Sequence, residues 1–392
     1  MKQVPIFIPP IISSTASTVS VDALEQAEDL HEQGKYVESI HRFLDGLHPE
    51  VRKKYGDPKG RVFDIPHGSV MIHIELTDDT FSISTDYLRL PTDERRLPMM
   101  RQVLDLNTRR LMLTRFVCRD NMLRLEYHCP LTDTHPYKLY SLVGNICFVA
   151  NRHDDEFIHK FGAERVTVPQ VRPYSDESVG RLHSALQTTG RYALDTVKEF
   201  VNERNYNGAW AVISTCFLQF LYYASPKGML YLDVDKALTD LDDDLPTSEQ
   251  VIRAVAALEE LMSRSPEELA KDMYYAETLS SDNNASTLPI IKDNFEKGYE
   301  DATAAIEHGN YERATVRLLH MIYRVYHHYD MQEDVNAVLV EALRTASGKP
   351  VEVGGKILYL TVKNIMENRL EVGTAEVSLV KRLAMWWQKL RK

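Results

Sequence analysis

In the stretch "HDDEFIH", His153, Asp155, Glu156 and His159 stand three or four residues apart. On a helix that spacing can turn two imidazoles and a carboxylate to one side, a donor set for a divalent metal. The plainer reading is a solvated helix face, with Phe157, Ile158 and Phe161 supplying the buried side. A metal-dependent enzyme or regulator using His153, Glu156 and His159 is therefore the alternative reading. Other catalytic signatures fail on inspection. "SGKPVEVGGKI" ends in Gly355-Lys356, but Pro350 stands where a phosphate loop needs glycine and Ile357 where it needs a hydroxyl. "HEQGK" has Lys35 in place of the second histidine of a zinc-protease helix, and no Gly-x-Ser-x-Gly elbow occurs. "DVDKALTDLDDDL", from Asp233, lacks the glycine and terminal glutamate of a calcium loop and reads as a solvated acidic turn. "YRVYHHYD", from Tyr323 to Asp330, gathers phenols and imidazoles, which a helix packing its tyrosines on a neighbour explains. No catalytic residue, cofactor or enzymatic activity is expected.

The C-terminal tail offers a different chemistry. "SLVKRLAMWWQKLRK" places Leu379, Leu383, Trp386, Trp387 and Leu390 on one helical stripe beside five basic residues and no acid. Such a helix can pack on its own acidic domain, dock on a partner through Trp386, Trp387, Lys389 and Arg391, or touch an anionic membrane.

At 392 residues the chain has room for two or three domains of roughly 150 residues each. It is 44% hydrophobic and 26% charged, a folded composition. A net charge of −11 opposes phosphate binding, so nucleic acid is not an expected partner. Cys118, Cys129, Cys147 and Cys216 lie in apolar segments without a CxxC pair, and read as buried free thiols of the cytoplasm. The N-terminal apolar run is broken by Pro5, Pro9 and Pro10, which suits neither a signal peptide nor a membrane span and predicts a frayed or strand-like start.

Period and punctuation divide the chain into an extended segment 1–20, a helical hairpin 21–60, an α+β unit 61–165, a helical region 175–278 and a second helical region 290–392. In the α+β unit, alternation at 70–76 and 81–86, a helix from about Pro98 to Asn107, a second hairpin around "RDN" and a long helix from about Tyr137 to Phe161 give a ββ–α–ββ–α order. Further on, Ser175 or Asp176 caps a helix toward Asn202. Tyr206 to Ala224 is helical, Thr247 with Gln250 and Ser265 with Glu268 read as capping boxes, and 279–289 reads as a loop or linker.

"GKYVESIHRFL" from Gly34 and "GNYERATVRLL" from Gly309 share glycine, tyrosine, a small residue, arginine and leucine in register, and "RNYNGAWAVIS" repeats the pattern without the glycine. A glycine turns the chain, the aromatic wedges between paired helices and the small residue lets them approach. The pattern resembles the second-helix half of a tetratricopeptide repeat, Gly-x-Tyr-x-x-Ala-x-x-x-Phe, over about 35 residues at each end. The ββ–α–ββ–α unit, with its Leu106-Asn107 helix end and Pro130-Leu131 exit, resembles the type III secretion chaperone-like fold and its YbjN-like bacterial relatives over about 66–165. That resemblance implies a non-enzymatic, chaperone- or adaptor-like protein that binds another polypeptide, with a homodimer through the α+β unit as a further expectation and membrane contact only through the tail.

Overall fold

The computed structural model describes residues 2–12, 19–169, 171–281 and 283–370. The described chain is mixed, with a six-stranded antiparallel sheet, two small two-stranded sheets and many helices. Helices α1 (Val21–Glu32), α2 (Tyr36–Leu47) and α3 (Val51–Tyr55) precede strands β1 (Val62–His67), β2 (Val70–Leu76) and β3 (Thr80–Arg89). Then come α4 (Arg96–Arg109), β4 (Arg115–Arg119), β5 (Met122–Pro130), α5 (Pro136–Phe161) and the short β6 (Glu164–Arg165). The expected ββ–α–ββ–α order thus gains a strand at its start. Pro66 in β1 disguised it, since proline lacks the donor a central strand requires, and β1 is an edge strand.

The main path of the sheet runs β1-β2-β3-β5-β4, and β6 adds to β3. Its period-two residues sort by face. Ile74 lies opposite Ile83, which lies opposite Tyr127 across the next strand, and all three belong to one core with Leu139, Val143 and Ile146 of α5. The other face carries charge: His73 meets Asp64 at 2.8 Å, Arg124 meets Asp86 at 2.6 Å and Arg119 meets Glu126 at 2.8 Å. Asp120 and Asn121, at φ +48° and +63°, make the two-residue turn between β4 and β5 that matches strand twist. Cys118 sits at the end of β4 beside this turn and is exposed, unlike the other three cysteines, because an apolar edge strand still leaves its tip in water. The first helical hairpin belongs to the same core through Ala27, Ile40, Phe43 and Leu44, so it does not stand apart from the sheet.

The remainder is helical. After β7 (Val171–Pro173) come α6 (Asp176–Asn202), α7 (Tyr206–Ala224), α8 (Gly228–Asp240), α9 (Thr247–Ser263), α10 (Pro266–Ala270) and β8 (Tyr274–Ala276). Then β9 (Asn284–Ala285), α11 (Leu288–Glu307), α12 (Tyr311–His328), β10 (Tyr329–Asp330), α13 (Glu333–Ala346) and α14 (Val351–Met366) complete the described chain. One core gathers α6 to α9, another α11 to α14. The Ser265–Glu268 capping box forms on α10. That of Thr247 does not: Pro246 is the N-cap of α9, and Gln250 Nε2 instead donates to the Asp243 carbonyl at 2.5 Å. The N-terminal segment is extended and anchored both to the turn before α14 and to the end of α7. The Val4 amide donates to the Lys349 carbonyl at 2.8 Å, Val4 is buried, and the Ile11 amide donates to the Tyr223 carbonyl at 3.0 Å.

The repeated motif builds three hairpins with one turn. Gly34, Arg204 and Gly309 take φ of +75°, +58° and +72°. In each, the residue after the turn donates its amide to the carbonyl five back: Lys35 to Leu30, Asn205 to Phe200 and Asn310 to Ala305, at 3.0, 2.7 and 2.8 Å. The small residue three past the aromatic is fully buried each time, as Ser39, Ala209 and Ala314. Among the described residues no helix is long and apolar enough to cross a membrane.

Candidate binding cleft

The site that sequence spacing nominated does not assemble. His153 Nδ1 meets Glu156 Oε2 at 3.3 Å, and Lys160 Nζ approaches the same carboxylate at 3.6 Å. The His153 hydrogen bond, followed by charge from His153 and Lys160, holds the Glu156 carboxyl down to about 2. His159 is exposed, and among the described residues no group of three His, Cys, Asp or Glu side chains could hold a metal ion. The helical periodicity was right; α5 simply uses Glu156 in an ion pair. Trp386, Trp387, Lys389 and Arg391 lie outside the described residues.

A different site stands where the three cores meet. A cavity of about 520 Å³ opens between α5, the end of α7, α8, the end of α12 and the segment from Tyr274 to Asn284. Its floor is set by Arg152 of α5, whose guanidinium lies 4.0 Å from the Phe148 ring centre and 4.3 Å from that of Tyr231 on α8. The same guanidinium bonds the Tyr231 hydroxyl and reaches Asp235 Oδ1 at 3.3 Å. Stacking plus an ion pair fixes an arginine far better than a lone exposed salt bridge does.

The wall runs from Tyr274, in the expected helical region 175–278, into the stretch 279–289 expected to be a loop or linker. It is instead anchored at many points. The Gly68 amide donates to the Glu277 carbonyl at 2.8 Å and the Leu279 amide to His67 Nδ1 at 3.2 Å. Further along, the Ala285 amide donates to the Tyr140 hydroxyl at 2.9 Å, and Ser281 Oγ donates to Asp330 Oδ1 at 2.9 Å. One strap thereby touches the sheet domain and the last helical group. Tyr222 and Tyr326 pack with ring centres 4.7 Å apart, and Tyr275 of the wall packs on Tyr174 at the same distance.

The lining is largely neutral. Burial, then the neighbouring His328, pushes His327 down to about 4, although Asp235 pulls the other way. Burial likewise lowers His328. Desolvation raises Tyr222 to about 12 and moves Tyr174 and Tyr274 upward, so these phenols keep their protons. The fixed charges are Arg152, Lys227, Asp235 and Asp330, two of each sign. Tyrosine, asparagine and serine supply most of the remaining polar contacts: Tyr231, Tyr274, Asn151, Asn283, Ser225 and Ser280 among them. A cavity of this size and mix offers many oriented hydrogen-bond groups on a flat aromatic background. Ser281 Oγ is spent on Asp330, not on an imidazole, so it is not set up as an activated nucleophile. Of these residues the sequence flagged Tyr326 to Asp330, through the run of aromatic and imidazole groups, and Asp235, inside the acidic run read as a solvated turn.

No family model matches this chain, and no curated protein or solved structure is significantly similar to it.

Proposed function

We propose that this chain is a non-enzymatic protein-interaction module, chaperone- or adaptor-like, that receives a polypeptide segment in the cleft between its three cores. The carrying observation is the lining: tyrosines with asparagines and serines around a cavity of about 520 Å³. This is the combination that protein-recognition surfaces use, because tyrosine gives rigid contact area at small entropic cost while asparagine and serine adapt their hydrogen bonds to a backbone. Balanced charge suits a peptide, whose repeating amides are neutral dipoles, better than it suits a highly charged small molecule. The three hairpins with a common turn support a tetratricopeptide-like reading of the helical regions, and the sheet backed by α5 supports the secretion-chaperone-like reading of 66–165. The free thiols Cys118, Cys129 and Cys216 support a reducing, cytoplasmic setting.

The test is to pan the full chain against a displayed library of random peptides and to measure the enriched sequences by calorimetry. Enriched peptides that lose about tenfold or more in affinity with Tyr231→Ala and with Tyr222→Ala support the reading. An absence of enriched peptides, or peptides indifferent to both substitutions, overturns it.

A further inference from the structure

A second surface, away from the cleft, has its own chemistry. On α4, Leu97 and Leu104 are 61% and 59% exposed, and Met112, just past the helix end, is 65% exposed. Leu97, Arg101 and Leu104 fall at i, i+4 and i+7, hence on one face, while Met99, Val103 and Leu106 turn the opposite face into the core. Single exposed leucines are ordinary, but a spaced pair on an otherwise well-packed helix leaves an apolar stripe in water.

Charge around the stripe departs from the rest of the chain. From Arg95 to Arg115 there are six arginines and one acid, Asp105, in a protein with 57 acids and 46 bases. Asp105 pairs with Arg109 at 2.8 Å and Asp93 with Arg95 at 2.5 Å. Arg101 and Arg110 are exposed and have no carboxylate partner among the described residues. Lys160 of α5, 3.3 Å from Gln102 Oε1 on α4, is already paired with Glu156 at 3.6 Å and adds no free charge here.

We infer that α4 docks an acidic amphipathic helix of a partner protein, leucine-type side chains on the Leu97–Leu104 stripe and carboxylates toward Arg101. Helix-on-helix recognition reads anchors at i, i+3, i+4 and i+7, the spacing this stripe presents. Charge decides the occupant. A second copy docking through the same face would set arginines against arginines, a like-charge juxtaposition. An anionic membrane would match the arginines, but α4 lacks the aromatic anchors that interfacial helices bury and its opposite face is committed to the core.

The experiment uses the full chain and three synthetic helical peptides: leucines at i, i+4 and i+7 with flanking glutamates, the same leucines with flanking lysines, and the glutamate peptide with its leucines scrambled. Fluorescence anisotropy at low salt should show the first binding at least about tenfold tighter than either control, weakening as salt rises. Leu97→Ser with Leu104→Ser, and separately Arg101→Glu, should each remove that preference while the melting temperature holds, since all three side chains are exposed. Equal binding of the glutamate and lysine peptides, or none, overturns the inference. So does a dimer in sedimentation that Leu97→Ser dissociates, or capture by phosphatidylserine vesicles that Arg101→Glu abolishes.

Discussion

The hairpins at Gly34 and Gly309 share a turn and differ in everything that touches them. Tyr36 and Tyr311, Ser39 and Ala314, and Phe43 and Leu318 occupy equivalent places. Yet α2 packs on α1, α3 and α5 inside the core that also holds the β-sheet, whereas α12 is enclosed by α7, α11 and α14. Asp45 and His320 show the consequence at one position. Asp45 is partly buried at the rim and pairs with Arg52 at 2.5 Å; His320 is buried, 3.2 Å from Ser214 Oγ and with its ring centre 5.0 Å from that of Trp210. A short motif thus sets how two helices cross, and the residues outside the motif set what they lie against.

The largest effect should come from emptying the equivalent core positions. Phe43→Ala should cost about 3–5 kcal/mol and Leu318→Ala about 2–5 kcal/mol in denaturant unfolding. Hydrogen exchange separates the two. Phe43→Ala should speed exchange of β2 and β3 amides, because Phe43 shares a core with Ile74 and Ile83, while Leu318→Ala should act on α11 and α12. Sheet amides that stay protected in Phe43→Ala would make the first hairpin an independent unit and dissolve the comparison.

Next in size is a pH effect confined to the second hairpin. Burial, then Arg317 and Arg324, holds His320 down at about 4, below its ordinary 6.5. The folded state therefore binds fewer protons than the unfolded chain between those values. Its contribution is complete above pH 6.5 and is lost as pH falls toward 4, on the order of 3 kcal/mol at the limit. His327, also near 4, adds in the same direction. His320→Gln should flatten the slope of stability against pH in that window. An unchanged slope would mean that His320 is not buried neutral.

How much of this was legible follows from range. The helices were readable because period and caps are local: Tyr206 to Ala224 coincides with α7, and Ser265 with Glu268 forms its box. Thr247 failed because Pro246, one residue earlier, already holds the extended backbone an N-cap requires. The cleft was mostly illegible. Tyr222, Tyr231 and Tyr275 lie in separate segments with no shared spacing, and only folding brings them to Arg152. The stretch 279–289 read as a linker because its polar residues, Ser281 and Asn283, bond to Asp330 and the Tyr326 carbonyl, partners more than forty residues away. The metal alternative shows the opposite error, since local spacing brought His153 and Glu156 together without making a site.

Smaller effects test the turn itself. A Cβ at Gly34 or Gly309 would meet nothing within 4 Å, so alanine there costs only backbone strain in the left-handed region. Gly34→Ala and Gly309→Ala should each lose about 1 kcal/mol, equally, despite their different surroundings. A cost several times larger at either one would show that the environment reaches into the turn.

The smallest expected change runs the other way, at the hairpin that lacks the glycine. Arg204 holds φ +58° with its side chain exposed, so it bears the left-handed penalty of a residue with a Cβ and buries nothing in return. That penalty is about 1–2 kcal/mol. Glycine removes it but widens the unfolded ensemble, which takes back roughly 0.5–1 kcal/mol. Arg204→Gly should therefore raise stability by a few tenths to about 1 kcal/mol, visible as a higher denaturant midpoint at constant slope. Asn205 supports the same turn, its side chain accepting the Gly208 amide at 3.0 Å, and Asn205→Ala should cost about 1 kcal/mol through loss of that cap. If Arg204→Gly destabilises instead, the arginine makes a contact that outweighs its strain, and the third hairpin is not held by the turn that holds the other two.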